Sequence, residues 1–211
     1  KKSQITPNKN QRFSTGQANH KSQISSNDQT SKQEESVLEL RNKISENFED
    51  KTGELFNNMD FQRQKEIMVI ASILEKEARS EEDMRLVAGV IENRLARGMF
   101  LQIDATVAYG ACLRSLASGT SRSKASEYRY CDVSQIPVGE EIKIDGPYNT
   151  YTRAGLPPGP IANPGITAIQ AVLNPTKSDY LYYLSTRDSS QIIFSKTSAE
   201  HAANRRKYLG I

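Results

Sequence analysis

The sequence has few of the features that mark several common classes of protein. It contains only two cysteines and two histidines, too few for a zinc-ligand pattern. No apolar run reaches the length of about 18 residues that a membrane-spanning helix needs, and no signal peptide is present, so we expect the chain as given to be soluble. Its formal charge is only +3, and it has no stripe dense in Lys and Arg. Both features argue against a nucleic-acid partner. Cys112 and Cys131 lie in the same irregular stretch and could either close a loop or remain free thiols.

Residues 1–35 differ in composition from the rest of the chain. They are rich in Ser, Gln, Asn, Lys and Thr, and Phe13 is their only aromatic residue. Such a segment cannot bury enough apolar surface to offset the entropy lost on ordering, so we predict a disordered linker or tail. Its six Lys and Arg residues against three acidic residues account for all of the excess charge. We predict one near-neutral folded domain over 36–211, and the absence of an initial Met suggests a fragment of a longer protein.

The segment 67–79, IMVIASILEKEAR, places a glutamate beside the apolar face of a predicted helix. At about 100° per residue, Glu77 falls on one flank of this face and Glu75 on the opposite flank. The face consists of Ile67, Ile70, Ala71, Leu74 and Ala78. A carboxyl held against apolar neighbours loses hydration of its charged form, so its pKa should rise, as a general acid requires. The alternative is a glutamate at the rim of the helix whose carboxylate reaches water.

Capping residues and spacing predict two helices around this glutamate. Asp60 caps the helix that carries Glu77, and an entry helix over 37–59 precedes it. Ser80 with Asp83 forms a capping box for the next helix, which Gly98 ends. The two helices are predicted to form a hairpin with Glu77 near its turn.

The rest of the chain predicts shorter elements. Alternating residues over 99–109 predict a strand with a polar face, and 110–145 lacks periodicity and is predicted to be a long surface excursion. A stiff loop over 154–165, a helix ending before Pro175, a strand hairpin and a final helix follow. The hairpin strands are 180–185 and 191–195, the last helix has a Thr197 and Glu200 capping box, and residues 205–207 form its basic last turn. We predict an α+β fold, with the helical hairpin packed on a small, mainly antiparallel sheet.

Four motifs in this order resemble the MltG/YceG-like endolytic murein transglycosylases. They are IASILEKEA at 70–78, ENRLARGMFLQIDATVAYG at 92–110, YNTYTRAGLPPGPIANPG at 148–165 and FSKTSAEH at 194–201. The resemblance covers about residues 60–208 and implies that this part is the family's catalytic domain. It does not reach the family's membrane anchor or its LysM-like domain.

The resemblance implies a reaction and one catalytic residue. Glu77 matches the second glutamate of the family's Glu-Lys-Glu motif, and Glu75 matches the first. The implied reaction cleaves the β-1,4 bond between N-acetylmuramic acid and N-acetylglucosamine in peptidoglycan and leaves 1,6-anhydromuramic acid ends. One carboxyl is enough because the sugar's own C6 hydroxyl replaces water, whereas most glycosidases need two carboxylates about 5 to 9.5 Å apart.

The same motifs suggest substrate-binding and supporting residues. The expected substrate contacts are Glu75, Gln102, Asp104, Thr106, Tyr148, Asn149, Thr150, Tyr151 and His201. Tyr148 and Tyr151 could instead be packed in a strand, and His201 could cap its own helix. Arg94 is expected to pair with a carboxylate such as Glu75, and Gly155, Pro157, Pro158 and Gly159 to form a rigid wall or a structural turn. Ile103 and Ala105 depart from the family pattern, in which a small polar residue and a proline are usual.

Two other functions are compatible with the sequence. A hydrolytic muramidase would use Asp104 as its second carboxylate, and a non-catalytic module would bind glycan or a cell-wall synthesis complex. YceG-like chains have also been labelled aminodeoxychorismate lyases, but no lysine here is marked for a Schiff base with pyridoxal phosphate. We expect no cofactor and no metal. The expected partners are peptidoglycan strands and cell-wall synthesis proteins, at the extracytoplasmic face of a bacterial membrane held by an anchor outside this chain.

Overall fold

The computed structural model of this chain describes residue 39 and residues 52–118, 131–188 and 190–211. The predicted tail and most of the predicted entry helix lie outside the described residues. The chain divides into two units, Lys1–Leu55 and Phe56–Ile211, and every element discussed below belongs to the second. The α+β class predicted from the sequence is confirmed, since this unit combines helices with a two-stranded antiparallel sheet.

The predicted helical hairpin is present. Its first helix, α1, is Phe61–Glu77, and its second, α2, is Glu81–Ala96. The Asp60 carboxylate accepts the Arg63 N–H at 2.8 Å, and the Ser80 hydroxyl accepts the Asp83 N–H at 3.1 Å, so both predicted caps are confirmed. Between the helices Ala78 has an extended backbone, which ends α1 at Glu77 itself.

The hairpin packs mainly against one short helix rather than against the sheet. This helix, α5, is Ile166–Leu173, and it contacts both α1 and α2. Large side chains at the junction are at most 2 % exposed, among them Ile67, Ile70, Ile91, Ile169 and Val172. The apolar core that fixes the hairpin therefore lies between three helices, and the sheet contacts α2 mainly through its first strand.

The prediction of a strand over 99–109 is wrong. Residues 99–103 are irregular, and a third helix of the domain, α3, is Asp104–Ser118. Ile103, Val107 and Ala111 are all buried. Their spacing of four residues is compatible with one face of a helix and also with the alternation of a short strand. Gln102, with a φ of 53°, turns the chain immediately before the helix.

The predicted surface excursion over 110–145 is partly helical. Residues 110–118 complete α3, Val133–Gln135 form a 3-10 turn, and a single-turn helix, α4, is Val138–Glu141. Residues 119–130 lie outside the described residues. Cys112 and Cys131 form a disulfide with a Cα–Cα distance of 5.5 Å, which resolves the alternative that the sequence left open.

The C-terminal elements agree with their predictions. Strands β1, Tyr182–Ser185, and β2, Ile192–Ser195, pair antiparallel with Tyr182 opposite Ser195. The last helix, α6, is Ser198–Leu209, and the Thr197 hydroxyl accepts the Glu200 N–H at 3.2 Å. This helix lies against both strands. Across the described ranges, none of the helices combines the length and the apolar character that crossing a bilayer requires.

We expect Gly89→Ala to lower the free energy of unfolding by about 1–3 kcal/mol, because α2 lies against the backbone that follows α5. A Cβ at Gly89 would overlap the carbonyl oxygen of Thr176, whose N–H donates to the Arg85 carbonyl at 2.9 Å. Gly139→Ala in α4 is the control, since no atom lies within 4 Å of its Cβ position. Urea unfolding of both variants measures the difference, and equal stabilities would contradict this packing.

We expect reduction of the Cys112–Cys131 disulfide to destabilise the domain by about 2–4 kcal/mol, because the bond closes a loop of 19 residues. Thermal unfolding with and without a reductant measures the effect. The double variant Cys112→Ala, Cys131→Ala should unfold at one temperature under both conditions. A melting temperature of the unsubstituted chain that does not change with the reductant would show that the bond does not stabilise the fold.

Candidate active site

An open cleft of ≈ 680 Å³ lies where α1 ends. Its floor comes from Glu77, at the end of α1, and from residues 101–104, at the start of α3. One side is β1 with residues 182–185, and the other is the face of α6 that carries Ser198, His201 and Arg205. Segments far apart in the chain therefore meet around one carboxyl.

Glu77 is half-buried on the floor of this cleft. Burial raises the pKa of its carboxyl to about 7, a hydrogen bond from Tyr183 opposes this rise, and the negative charge of Asp104 adds to it. Desolvation dominates because the charged form loses most of its hydration while one edge of the group still faces the cleft. Near neutral pH the group is present in both its acid and its base form, as proton transfer in either direction requires.

Tyr183 is a hydrogen-bond partner of Glu77 in the cleft. Its hydroxyl donates to Glu77 Oε2 at 2.9 Å, and burial, reinforced by the charge of Glu77, raises the pKa of the phenol well above its usual value. The phenol therefore stays protonated and remains a donor. Sequence reasoning missed this residue, and the adjacent tyrosines of β1 were the only local signal for it.

Asp104 and Tyr151 lie in the same cleft as Glu77. The Tyr151 hydroxyl donates to Asp104 Oδ1, and burial followed by the Asp104 interaction raises the pKa of the tyrosine. Gln102 also lines the cleft, and its N–H donates to the Thr150 carbonyl at 3.0 Å. The structure thus brings these three predicted residues together with Glu77.

The predicted pairing of Arg94 with Glu75 is wrong. Arg94 is 8 % exposed, and its guanidinium donates to the carbonyls of Leu181 at 2.6 Å, Leu101 at 2.6 Å and Phe100 at 3.0 Å. It also lies 5.0 Å from the centre of the Tyr182 ring. Burial lowers the pKa of Arg94 because the charged guanidinium loses hydration. Carbonyl dipoles and the face of the Tyr182 ring, instead of a carboxylate, compensate for this loss.

Glu75 has a separate structural contact. Its Oε1 accepts the N–H of Gly165, the N-cap of α5, at 2.8 Å. A carboxylate at this position satisfies a free N–H and faces the positive end of the helix dipole. Glu75 is absent from the lining of the cleft, so the structure does not bring it to Glu77.

Three other predicted substrate contacts are buried and bonded to protein atoms. The Thr150 hydroxyl accepts the Ile103 N–H at 2.9 Å and lies 2.9 Å from the Thr106 hydroxyl, which donates to the Ile103 carbonyl at 2.7 Å. The Asn149 amide donates to the Ile144 carbonyl at 2.8 Å, and its oxygen accepts the Tyr151 N–H at 2.9 Å. These bonds hold the 149–151 turn against the start of α3. The three side chains do not line the cleft themselves. They hold Tyr151 and Asp104, which do line it, in position.

The proline-rich loop and Tyr148 lie outside the cleft. Pro157 and Pro158 line a separate groove with α1 and α2, and the Ile161 N–H ties the loop to the Ser72 hydroxyl at 2.9 Å. Tyr148 packs edge-on against Tyr109 at 4.9 Å, beside Gly110 and Gly159. Gly155, with a φ of 86°, turns the loop. The predicted alternative of a tyrosine-packing strand is wrong, because 148–151 forms a turn.

His201 lines the cleft, and its role as a substrate contact stays a prediction. Its ring stacks on Tyr182 at 5.3 Å, and its Nδ1 is buried with no hydrogen-bond partner. Burial, then the charges of Arg205 and Arg94, lower the pKa of the imidazole, so the ring is neutral at pH 7. The helix cap is Thr197, which leaves the His201 side chain free of that role. No cluster of ligating side chains that could hold a metal occurs within the described ranges.

Comparison with known proteins places this geometry in a family. The pattern of the YceG-like family matches residues 12–207. An endolytic murein transglycosylase of Bacillus subtilis is 36% identical over 143 residues, which are 68% of this chain and 34% of that protein. A protein of the same name from Streptococcus pneumoniae is 34% identical over 139 residues, which are 66% of this chain and 23% of that protein. The chain therefore spans about a third or less of the length of these relatives.

A solved structure agrees with these matches. The crystal structure of a YceG-like protein from Listeria monocytogenes is 35% identical, has a TM-score of 0.53, and covers 75% of this chain and 44% of its own. The match to the family pattern extends over most of the chain and includes Glu77, Asp104, Tyr183 and His201. The chain belongs to the YceG-like family.

Proposed function

We propose that this domain is an endolytic lytic transglycosylase of peptidoglycan. The observation that carries the proposal is the single half-buried carboxyl of Glu77, whose pKa of about 7 suits both proton donation and proton acceptance in an open cleft. The names of the B. subtilis and S. pneumoniae relatives support the same reaction class. Cleavage would act within strands and so limit their length.

The proposed reaction needs one carboxyl and no water. Protonated Glu77 donates to the oxygen that leaves C1 of N-acetylmuramic acid, and the C1–O4 bond breaks. The resulting carboxylate takes the proton of the sugar's C6 hydroxyl, whose oxygen bonds to C1 and closes the 1,6-anhydro ring. The proton count balances, and Glu77 returns to its acid form.

The hydrogen bond from Tyr183 divides the roles of the two carboxyl oxygens. Because Oε2 accepts the phenol hydrogen at 2.9 Å, Oε1 is the oxygen that carries the transferred proton in both steps. The same bond stabilises the Glu77 carboxylate that forms in the first step and so limits the rise of its pKa. The carboxylate is still basic enough to take the proton of the C6 hydroxyl in the second step. Tyr183 therefore acts on the reaction through Glu77.

The proposed setting follows from the substrate. Peptidoglycan strands are the proposed partner, with cell-wall synthesis proteins as further partners. The proposed location is the extracytoplasmic face of a bacterial membrane, with the anchor in a segment outside this chain. The Cys112–Cys131 disulfide agrees with an oxidising compartment.

A muramidase is the second candidate because Asp104 shares the cleft with Glu77. In that reaction the second carboxylate would activate water or form a covalent intermediate, and the product would have a reducing end. The hydrogen bond from Tyr151 occupies Asp104 Oδ1, which favours a positioning role for this carboxylate. A hydrated end is one water heavier than an anhydro end, so mass spectrometry of the products separates the two reactions.

We expect Glu77→Gln to abolish cleavage of uncrosslinked peptidoglycan strands, with at least a 10³-fold lower rate, because a single group supplies both proton transfers. The unsubstituted chain should release fragments with anhydro ends. Glu82→Gln, an exposed residue in the first turn of α2, is the matched control and should cleave normally. Circular dichroism checks that both variants are folded.

Three results would contradict the proposal in different ways. Hydrated ends would indicate a muramidase, and activity that survives in Glu77→Gln would remove Glu77 from the mechanism. Binding of strands without cleavage by either protein would indicate a binding module.

We expect cleavage to fall as the pH rises through about 7, because the first step needs the protonated form of Glu77. In Tyr183→Phe the pKa of Glu77 should rise further, since the lost hydrogen bond stabilised the carboxylate. The alkaline limb of the pH–rate profile should therefore move up by about one pH unit. Tyr182→Phe is the control, because Tyr182 packs on Arg94 and His201 and does not bond to Glu77. A limb that stays in place or moves to lower pH would contradict the role of Tyr183.

A further inference from the structure

The α6 side of the cleft carries an unassigned cation. Ser198, His201, Arg205 and Leu209 recur at helical spacing and face the cleft along one side of α6. The sequence alone predicts only a basic last helical turn here, in which residues 205–207 favour the helix dipole. The structure separates these residues, since Arg205 lines the cleft and Arg206 and Lys207 do not.

The guanidinium of Arg205 is available to a ligand. The residue is exposed, and within the described ranges it has no hydrogen bond to a side chain or carbonyl and no carboxylate within ion-pairing distance. Arg94, the other arginine of the cleft, is buried, and its Nε and Nη1 donate to three carbonyls while its guanidinium lies over the ring of Tyr182. Arg205 therefore supplies an exposed cationic donor at the cleft whose guanidinium is not engaged by another group of the described residues.

His201 offers a neutral donor next to this arginine. Burial, and after it the charges of Arg205 and Arg94, lowers the pKa of the imidazole and disfavours the imidazolium form, so the ring keeps one N–H. Nδ1 is buried without an acceptor, and a proton there would leave a buried donor unpaired. The proton is therefore favoured on Nε2, at the edge of the ring that faces the cleft, while stacking on Tyr182 fixes the plane of the ring.

The charges of the cleft are thus divided between two sides. Glu77 and Asp104 lie on the floor, and Arg205 and His201 lie on the α6 side, where the ring of His201 stacks on Tyr182. The carboxylates of the floor repel an anion and Arg205 attracts one, so a negatively charged ligand group is favoured on the α6 side. A planar guanidinium beside an N–H donor matches the two oxygens of a carboxylate.

We propose that Arg205 and His201 form a subsite for a carboxylate carried by the muramic acid residues of the strand. This inference rests on the proposed function, because it names the part of that substrate that the α6 side of the cleft binds. Muramic acid bears its lactyl group at C3, and the carboxylate has two sources. It is the free lactyl carboxylate in strands without peptides, or a carboxylate of the peptide stem in strands that keep them.

Binding measured without cleavage tests this subsite. Fluorescence anisotropy of labelled strands is measured with the chain carrying Glu77→Gln, alone and combined with Arg205→Gln or with Arg206→Gln. Arg206 is the matched control, because it is the next residue, is exposed and lies outside the cleft lining. Three strand preparations are compared: with intact peptide stems, without peptides, and without peptides but with the lactyl carboxylates converted to methylamides.

We expect Arg205→Gln to weaken binding of carboxylate-bearing strands about 10-fold, as the loss of one charge-assisted hydrogen-bonding group predicts. Binding of methylamide strands should be equal in all three proteins, and Arg206→Gln should have no effect on any strand. An effect confined to strands with peptides assigns the stem carboxylates, and an effect on strands without peptides assigns the lactyl group. His201→Phe, which keeps the stacking on Tyr182 but removes the N–H, should reproduce part of the loss.

Other outcomes overturn the subsite. Equal effects of Arg205→Gln and Arg206→Gln, an equal loss on methylamide strands, or no binding of any strand would each do so. Cleavage by the unsubstituted chain is measured separately with the same strands. Selective binding without cleavage would leave the carboxylate subsite intact and refute the lytic reaction, while cleavage with no selectivity would refute only the subsite.

Discussion

The arrangement of the cleft depends on one buried cation. The guanidinium of Arg94 joins α2, the irregular segment before α3 and the residue that precedes β1, through three carbonyl acceptors. A buried arginine without a carboxylate is costly to desolvate, so the fold must supply these dipoles and the face of Tyr182 together. The positions of Asp104 and Tyr183, on either side of Glu77, follow from this junction.

Because Arg94 binds carbonyls, it forms no ion pair with the carboxylates of the cleft. An ion pair with Glu77 would lower the pKa of that carboxyl and make it a poor acid at neutral pH. The pKa of Glu77 is set instead by burial, the Tyr183 hydrogen bond and the charge of Asp104. Arg94 is therefore a structural part of the cleft, while Arg205 is exposed and forms no ion pair within the described residues.

Local patterns predicted the helices well and the contacts between distant segments poorly. Asp60 and Ser80 as caps, and the apolar spacing in α1 and α2, act within a few residues and could be recognised in the sequence. The prediction for 99–109 failed because four alternating apolar residues fit the period of a helix as well as that of a strand. The burial of Val107 and Ala111 favours the helix. Glu77 was recognised as a carboxyl in an apolar setting, but its partner Tyr183 is 106 positions away. The buried roles of Thr150 and Thr106 depend on the same kind of distant pairing, whereas the Asn149 amide bonds to carbonyls at most eight positions away.

The order of the cleft segments along the chain has a consequence for when the cleft is assembled. The floor of the cleft begins at Glu77, but the α6 side belongs to residues 198–209, about 120 positions later. If the chain is made and exported from its N-terminus, as the proposed function requires, the proposed acid exists long before the cleft that would hold a substrate against it. Under that proposal, a chain whose α6 has not yet folded onto the strands would be unable to cut the wall.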